Sequence, residues 1–112
     1  IAERLAFDVA LWDQHGCLSP QTCFVLAADD DLLDAFGYEL GEALDRIEKR
    51  LPSRRLSLAE SAAVGRFRAE AEWSPDERLL APHESVAWTV RIARAARFEP
   101  TCLNRCIRLA PL

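Results

Sequence analysis

Leu33, Phe36, Leu40, Leu44, Ile47 and Leu51 follow one another at steps of three or four, so they fall on one face of a single helix. The spacing predicts a helix over about Leu32 to Leu51. Asp29, Asp30 and Asp31 supply an N-cap and a negative charge at its positive end, and Pro52 stops it. On the wet side, Glu42 with Arg46 and Asp45 with Lys49 have the spacing of ion pairs. Gly37 and Gly41 lie within this helix, and each costs about 1 kcal/mol against alanine unless something packs close to the backbone. A neighbouring strand or helix is therefore expected against these two glycines.

The other elements surround that helix. From Ile1 to about His15, Ile1, Leu5, Val9 and Trp12 recur at helical spacing among alanines, with Gly16 as the expected stop. Pro20 forbids helix at Ser19, and Thr22 to Ala27 is short and rich in strand formers, so it reads as a buried strand. Ser57-Leu58-Ala59-Glu60 is a capping box. It opens a helix with Ala63, Val64, Phe67 and Ala71 inward, closed by Ser74-Pro75. Val86, Trp88, Val90 and Ile92 alternate with Ala87, Thr89, Arg91 and Ala93, as in a strand with one buried face. A last strand is expected over Asn104 to Ala110. The order helix, strand, helix, helix, strand, strand belongs to the α/β class, with helices packed on a short sheet.

With 112 residues, half of them hydrophobic, the chain can build one core but not two. Because it starts at Ile1 and ends on a strand-like segment, it reads as a fragment of a larger protein, residues 1–112 forming a single piece. A net charge of -4 and a pI near 5.2 disfavour nucleic acid, whose phosphates need surplus Lys and Arg. No apolar run approaches the roughly 20 residues of a membrane span, and no secretory signal is seen. The four cysteines, Cys17, Cys23, Cys102 and Cys106, read as reduced thiols of a cytoplasmic protein. On an extended strand Cys102 and Cys106 would lie about 13 Å apart, too far to share a zinc ion. No metal site is therefore assigned, and Cys23, Cys102 and Cys106 read as small apolar core residues.

One constellation rises above packing. Asp13-Gln14-His15-Gly16-Cys17-Leu18-Ser19-Pro20-Gln21 sets a thiol directly after a glycine, between a helix and a strand. There the Cys17 side chain and amide could both face a substrate, the amide donating to an oxyanion formed at the thiol's own target. An ordinary thiol is only a few per cent thiolate at neutral pH, so Cys17 needs activation. The end of the preceding helix carries the wrong dipole sign for this. His15 reads either as a base or as a cap or surface residue. Arg54 and Arg55 could meet phosphates but read as a solvated basic loop, His83 has no role assigned, and Trp73 and Trp88 read as core or edge aromatics.

The run from Trp12-Asp13-Gln14 through Gly16-Cys17-Leu18-Ser19-Pro20-Gln21 to Phe24-Val25 resembles the nucleophile segment of the fatty acyl-CoA reductases. These comprise the reductase subunit of the luminous-bacteria fatty acid reductase complex and its relatives, within the aldehyde-dehydrogenase superfamily. Trp88-Thr89-Val90 and Phe98 through Cys102-Leu103-Asn104-Arg105 are similar to the same family, so the likeness covers most of the chain. The resemblance implies a bacterial, cytoplasmic enzyme in which Cys17 takes an acyl group from acyl-CoA or from an acylated partner enzyme. It further implies that NADPH reduces the resulting thioester to a fatty aldehyde. It places Glu99 where the superfamily keeps a ribose-binding glutamate. The dinucleotide-binding domain and the general-base glutamate would precede Ile1, so the fragment alone is expected to be inactive. Two other readings stand beside it: a non-catalytic assembly domain with a structural Cys17, prone to homo-oligomerise, and a thiol acyltransferase without redox chemistry.

Overall fold

A computed structural model describes residues 1–26 and 29–112. Three helices, α1 (Ala2–Ala10), α2 (Asp30–Arg50) and α3 (Leu58–Trp73), pack on four strands, β1 (Thr22–Val25), β2 (Arg78–Leu80), β3 (Thr89–Ile92) and β4 (Cys106–Pro111). The sheet order is β1-β4-β3-β2. β4 is parallel to both of its neighbours, and β2 is antiparallel to β3 at the edge. The α/β class expected from the element order is the class observed.

Alternation along the central strands sorts the sheet into two faces. Val90, Ile92, Ile107 and Leu109 join Trp88 and the inward residues of α1 and α2 in the main core. Ala2, Ala6 and Ala10 keep the α1 surface low enough for α2 to pack against it. The Asp29 carboxylate caps α2 by accepting from the Leu32 amide at 2.8 Å, and Leu33, Leu40, Leu44 and Ile47 are buried as the stripe requires. Leu51 is exposed at the helix end. β3 is the layer that comes close to the two α2 glycines. A methyl group on Gly37 would collide with the Ile92 side chain, and one on Gly41 would lie 3.0 Å from the Trp88 ring. The capping box at Ser57 and Glu60 is fully formed.

Several expectations are corrected. α1 ends at Ala10 rather than near His15, because Trp12, Asp13 and Gln14 all take positive φ (55°, 49° and 67°). Gly16 has no such φ and is not the stop. β1 is a half-buried edge strand and not a buried one; Ala27, the last residue expected in it, lies outside the described residues. β3 is central and buried on both faces, with Thr89 and Arg91 covered by α3 rather than solvated. β2 was not anticipated. Arg46 pairs with Glu3 of α1 instead of Glu42, and the Asp45 carboxylate accepts from the Trp88 indole at 2.7 Å.

Candidate active site

Cys17 lies in a tight turn closed by the Ser19 amide donating to the Gly16 carbonyl at 3.1 Å. Its thiol is exposed. It faces a cleft of about 580 Å³ whose wall is formed by Asp8, Leu11, Trp12, Leu18 and Ser19. Three of these are large apolar side chains left in solvent: Leu11, Trp12 (75% exposed) and Leu18 (98% exposed). A β-carbon on Gly16 would crowd the Ser19 hydroxyl at 3.2 Å and lie in ordinary contact with the Trp12 ring at 3.6 Å.

The turn is held from below by a polar cluster that periodicity cannot reveal. Gln14 is 1% exposed. Its amide nitrogen donates to the carbonyls of Pro20 (2.7 Å) and Cys106 (2.9 Å), and its amide oxygen accepts from the Cys106 amide at 2.7 Å. One side chain thus ties both ends of the Cys17 loop to the start of β4. Beside it, the Asn104 amide donates to the Asp13 carbonyl at 3.0 Å. Arg105, 3% exposed, donates to Asp13 Oδ1 (2.7 Å), Glu48 Oε2 (2.9 Å) and the Ala10 carbonyl (3.3 Å).

Leu103, Asn104 and Arg105 have φ of 63°, 55° and 62°, so two left-handed turns, Trp12–Gln14 and Leu103–Arg105, lock together. Left-handed backbone costs non-glycine residues about 1–2 kcal/mol each, and it persists because these charge-assisted bonds over-determine it.

His15 and Arg54 complete the rim. His15 Nε2 lies 2.9 Å from Asn104 Oδ1 and 3.0 Å from the Arg54 guanidinium, which also donates to Asn104 Oδ1 at 2.8 Å. The His15 tautomer sets whether Nε2 donates to Asn104 or accepts from Arg54. The basic loop expected to be merely solvated is thus docked through Arg54, which also pairs with Glu60. Hydrogen bonding from Arg54, then from the Ser57 backbone, holds the Glu60 carboxyl down at about 2.

The matching family model, acyl-CoA reductase (LuxC), spans residues 1–112, the full length on which this cleft and its supports are built. The chain belongs to the LuxC acyl-CoA reductase family. Searched against curated proteins, it finds no match.

Within this LuxC-family chain the two carried-over residues are not neighbours in one cleft. Glu99 lines a second cleft of about 340 Å³ with Glu77, Arg91, Arg94 and Arg108. Its carboxylate pairs with Arg97 and lies 3.6 Å from Arg108 Nε, and its carbonyl accepts from the Thr22 hydroxyl at 3.0 Å. α1 ends at Ala10, and a distorted single turn, Leu11–Gln14, with positive φ at Trp12 and Asp13, separates it from Cys17, so the α1 dipole is farther from the thiol than the sequence suggests. Asp13, Gln14, Asn104 and Arg105 were missed by sequence reasoning. The available signals were a glutamine and an arginine inside otherwise apolar surroundings, and the tolerance of Asp and Asn for left-handed backbone. His83 and Trp73 are exposed, while Trp88 is the core aromatic expected. No helix among the described residues is long and apolar enough to cross a membrane. Among the described residues no three His, Cys, Asp or Glu side chains gather as a metal site requires.

Proposed function

We propose that Cys17 is the acyl-accepting nucleophile of a LuxC-family acyl-CoA reductase that forms a fatty aldehyde. The observation that carries the reading is an exposed thiol on a rigidly held turn beside an apolar cleft, in a chain of this family. The Cys17 sulfur attacks the carbonyl carbon of the acyl thioester. The new C–S bond forms as the bond to the donor sulfur breaks, and the donor leaves as a thiol carrying the proton. Acyl-CoA or an acylated partner enzyme serves equally as donor in this chemistry. Among the described residues no acceptor takes the Cys17 amide, which leaves it to steady the oxyanion. Leu11, Trp12 and Leu18 offer the apolar surface along which an acyl chain would lie.

NADPH is the reductant this reading calls for, supplying hydride to the thioester. The described residues do not form a cradle for it: none of the glycines takes a positive φ in a phosphate loop, and the Glu99 carboxylate is already engaged by Arg97. For Glu99 to bind a ribose it would have to exchange that arginine for hydroxyls. On this reading residues 1–112 do not themselves hold the dinucleotide, and taken alone they would not reduce a thioester. The test uses the complete enzyme. Cys17→Ala should abolish acyl-CoA-dependent NADPH oxidation while leaving the melting temperature unchanged, since the side chain is exposed. Retained activity would overturn the assignment.

A further inference from the structure

Cys102 and Cys106 flank the Leu103–Arg105 turn. The sequence reading separated these residues along an extended strand, and the structure corrects that reading. Cys106 opens β4, but Leu103–Arg105 before it form a left-handed turn, closed by the Cys106 amide donating to the Leu103 carbonyl at 3.2 Å. One helical turn spans about 6 Å between its end α-carbons, within the roughly 4.4–6.8 Å that a disulfide takes.

The side chains agree with the backbone. Cys102 packs on Cys106 in a small cluster with Val64, Phe67 and Leu56. Cys106 is fully buried, whereas Cys102 is only partly buried and is the one of the two in contact with solvent. Both are free thiols.

We infer that Cys102 and Cys106 form an oxidisable dithiol site that closes into a disulfide across the Leu103–Arg105 turn when a hydroperoxide reaches Cys102. The Cys102 sulfur displaces water from hydrogen peroxide and becomes a sulfenic acid. Cys106 then attacks that sulfur, forming the S–S bond and releasing a second water. Peroxide takes up the two electrons that the thiols lose. The order of attack follows from the environment: a hydrogen bond from Cys106 holds the Cys102 thiol below its ordinary pKa, while the same bond and burial push Cys106 far above it.

The site has a route to Cys17. The same turn donates from Asn104 to Asp13, and the Cys106 backbone is clamped on both sides by Gln14. Closing the turn pulls on the groups that set the Cys17 loop.

The experiment is a hydrogen peroxide titration of the complete enzyme, followed by alkylation and non-reducing peptide mapping. The expected result is loss of Cys102 alkylation together with a Cys102–Cys106 cross-link lighter by two hydrogens, reversed by dithiothreitol and absent in both Cys102→Ser and Cys106→Ser. Cys17→Ser should still form it, so failure of the nucleophile assignment and failure of this inference can be told apart. A disulfide mapped to Cys17 or Cys23, or a Cys102 that stops at sulfinic acid with Cys106 still alkylatable after unfolding, overturns the site. A Cys17 alkylation rate identical in the oxidised and reduced protein overturns the link to the nucleophile loop.

Discussion

Toward α1 and α2 the sheet presents Val90, Ile92, Ile107 and Leu109; toward α3 it presents Thr89, Arg91, Cys106 and Arg108. Both faces are buried, but different physics holds them. The first is apolar packing, where each large side chain removed from water contributes about 1.5–3 kcal/mol. The second is an ion cluster: Glu77, 9% exposed, lies between Arg91 and Arg108, and Arg91 also stacks 4.6 Å over the Phe67 ring and donates to the Phe67 carbonyl at 3.3 Å. α3 therefore sits on a layer of paired charge. A buried arginine is tolerated when its donors are matched, and removing one partner costs more than the pair was worth.

That contrast can be broken from the polar side first. Glu77→Gln removes the buried carboxylate that Arg91 and Arg108 share and should cost about 3–5 kcal/mol in urea denaturation. A loss within about 0.5 kcal/mol would mean that α3 covers an ordinary solvated surface.

On the apolar face, Leu40→Ala should cost about 2–5 kcal/mol by the same measurement, because Leu40 is 0% exposed and its removal leaves a cavity. The glycines then sharpen the comparison by sign. Gly65 on α3 has nothing within 4 Å of where a β-carbon would sit, so Gly65→Ala should stabilise by about 1 kcal/mol. Gly37 on α2 lies against Ile92, so Gly37→Ala should lower the melting temperature, overpacking of about 1–3 kcal/mol outweighing the helix gain.

The smallest effect concerns the α3 N-terminus. The Glu60 carboxyl is depressed from its ordinary 4.5 to about 2, chiefly by Arg54. A depressed carboxyl stabilises the fold above its unfolded value, and that contribution fades as pH falls from about 4.5 through about 2. Carboxyl NMR should find a Glu60 midpoint near 2, and Arg54→Ala should return it to the ordinary range.

These two faces also explain what could be read from residues alone. The α2 stripe, its Asp29 cap, the capping box at Ser57 and the close approach at Gly37 and Gly41 were legible because each is a local rule with one outcome. The polar face was misread because Arg91, seen in a line of letters, looks like a residue pointing at water; only the fold brings Glu77 to it. β2 is three residues long, too short to show a period. At the candidate site, Gly16-Cys17 was visible as a motif, but the left-handed runs at Trp12–Gln14 and Leu103–Arg105 contain no glycine to announce them. Their stability comes from Gln14 and Arg105 bonding across about ninety residues of sequence, which local rules do not reach. The same omission placed Cys102 and Cys106 apart.

The central claim is that the Cys17 sulfur carries the acyl group. The most direct measurement incubates the complete enzyme with a long-chain acyl-CoA in the absence of NADPH and locates the added acyl mass by peptide sequencing. We expect the mass on the peptide containing Cys17, labile to hydroxylamine as a thioester is. An acyl group found on Cys23, Cys102 or Cys106, or an enzyme that reduces acyl-CoA without ever carrying one, would contradict it.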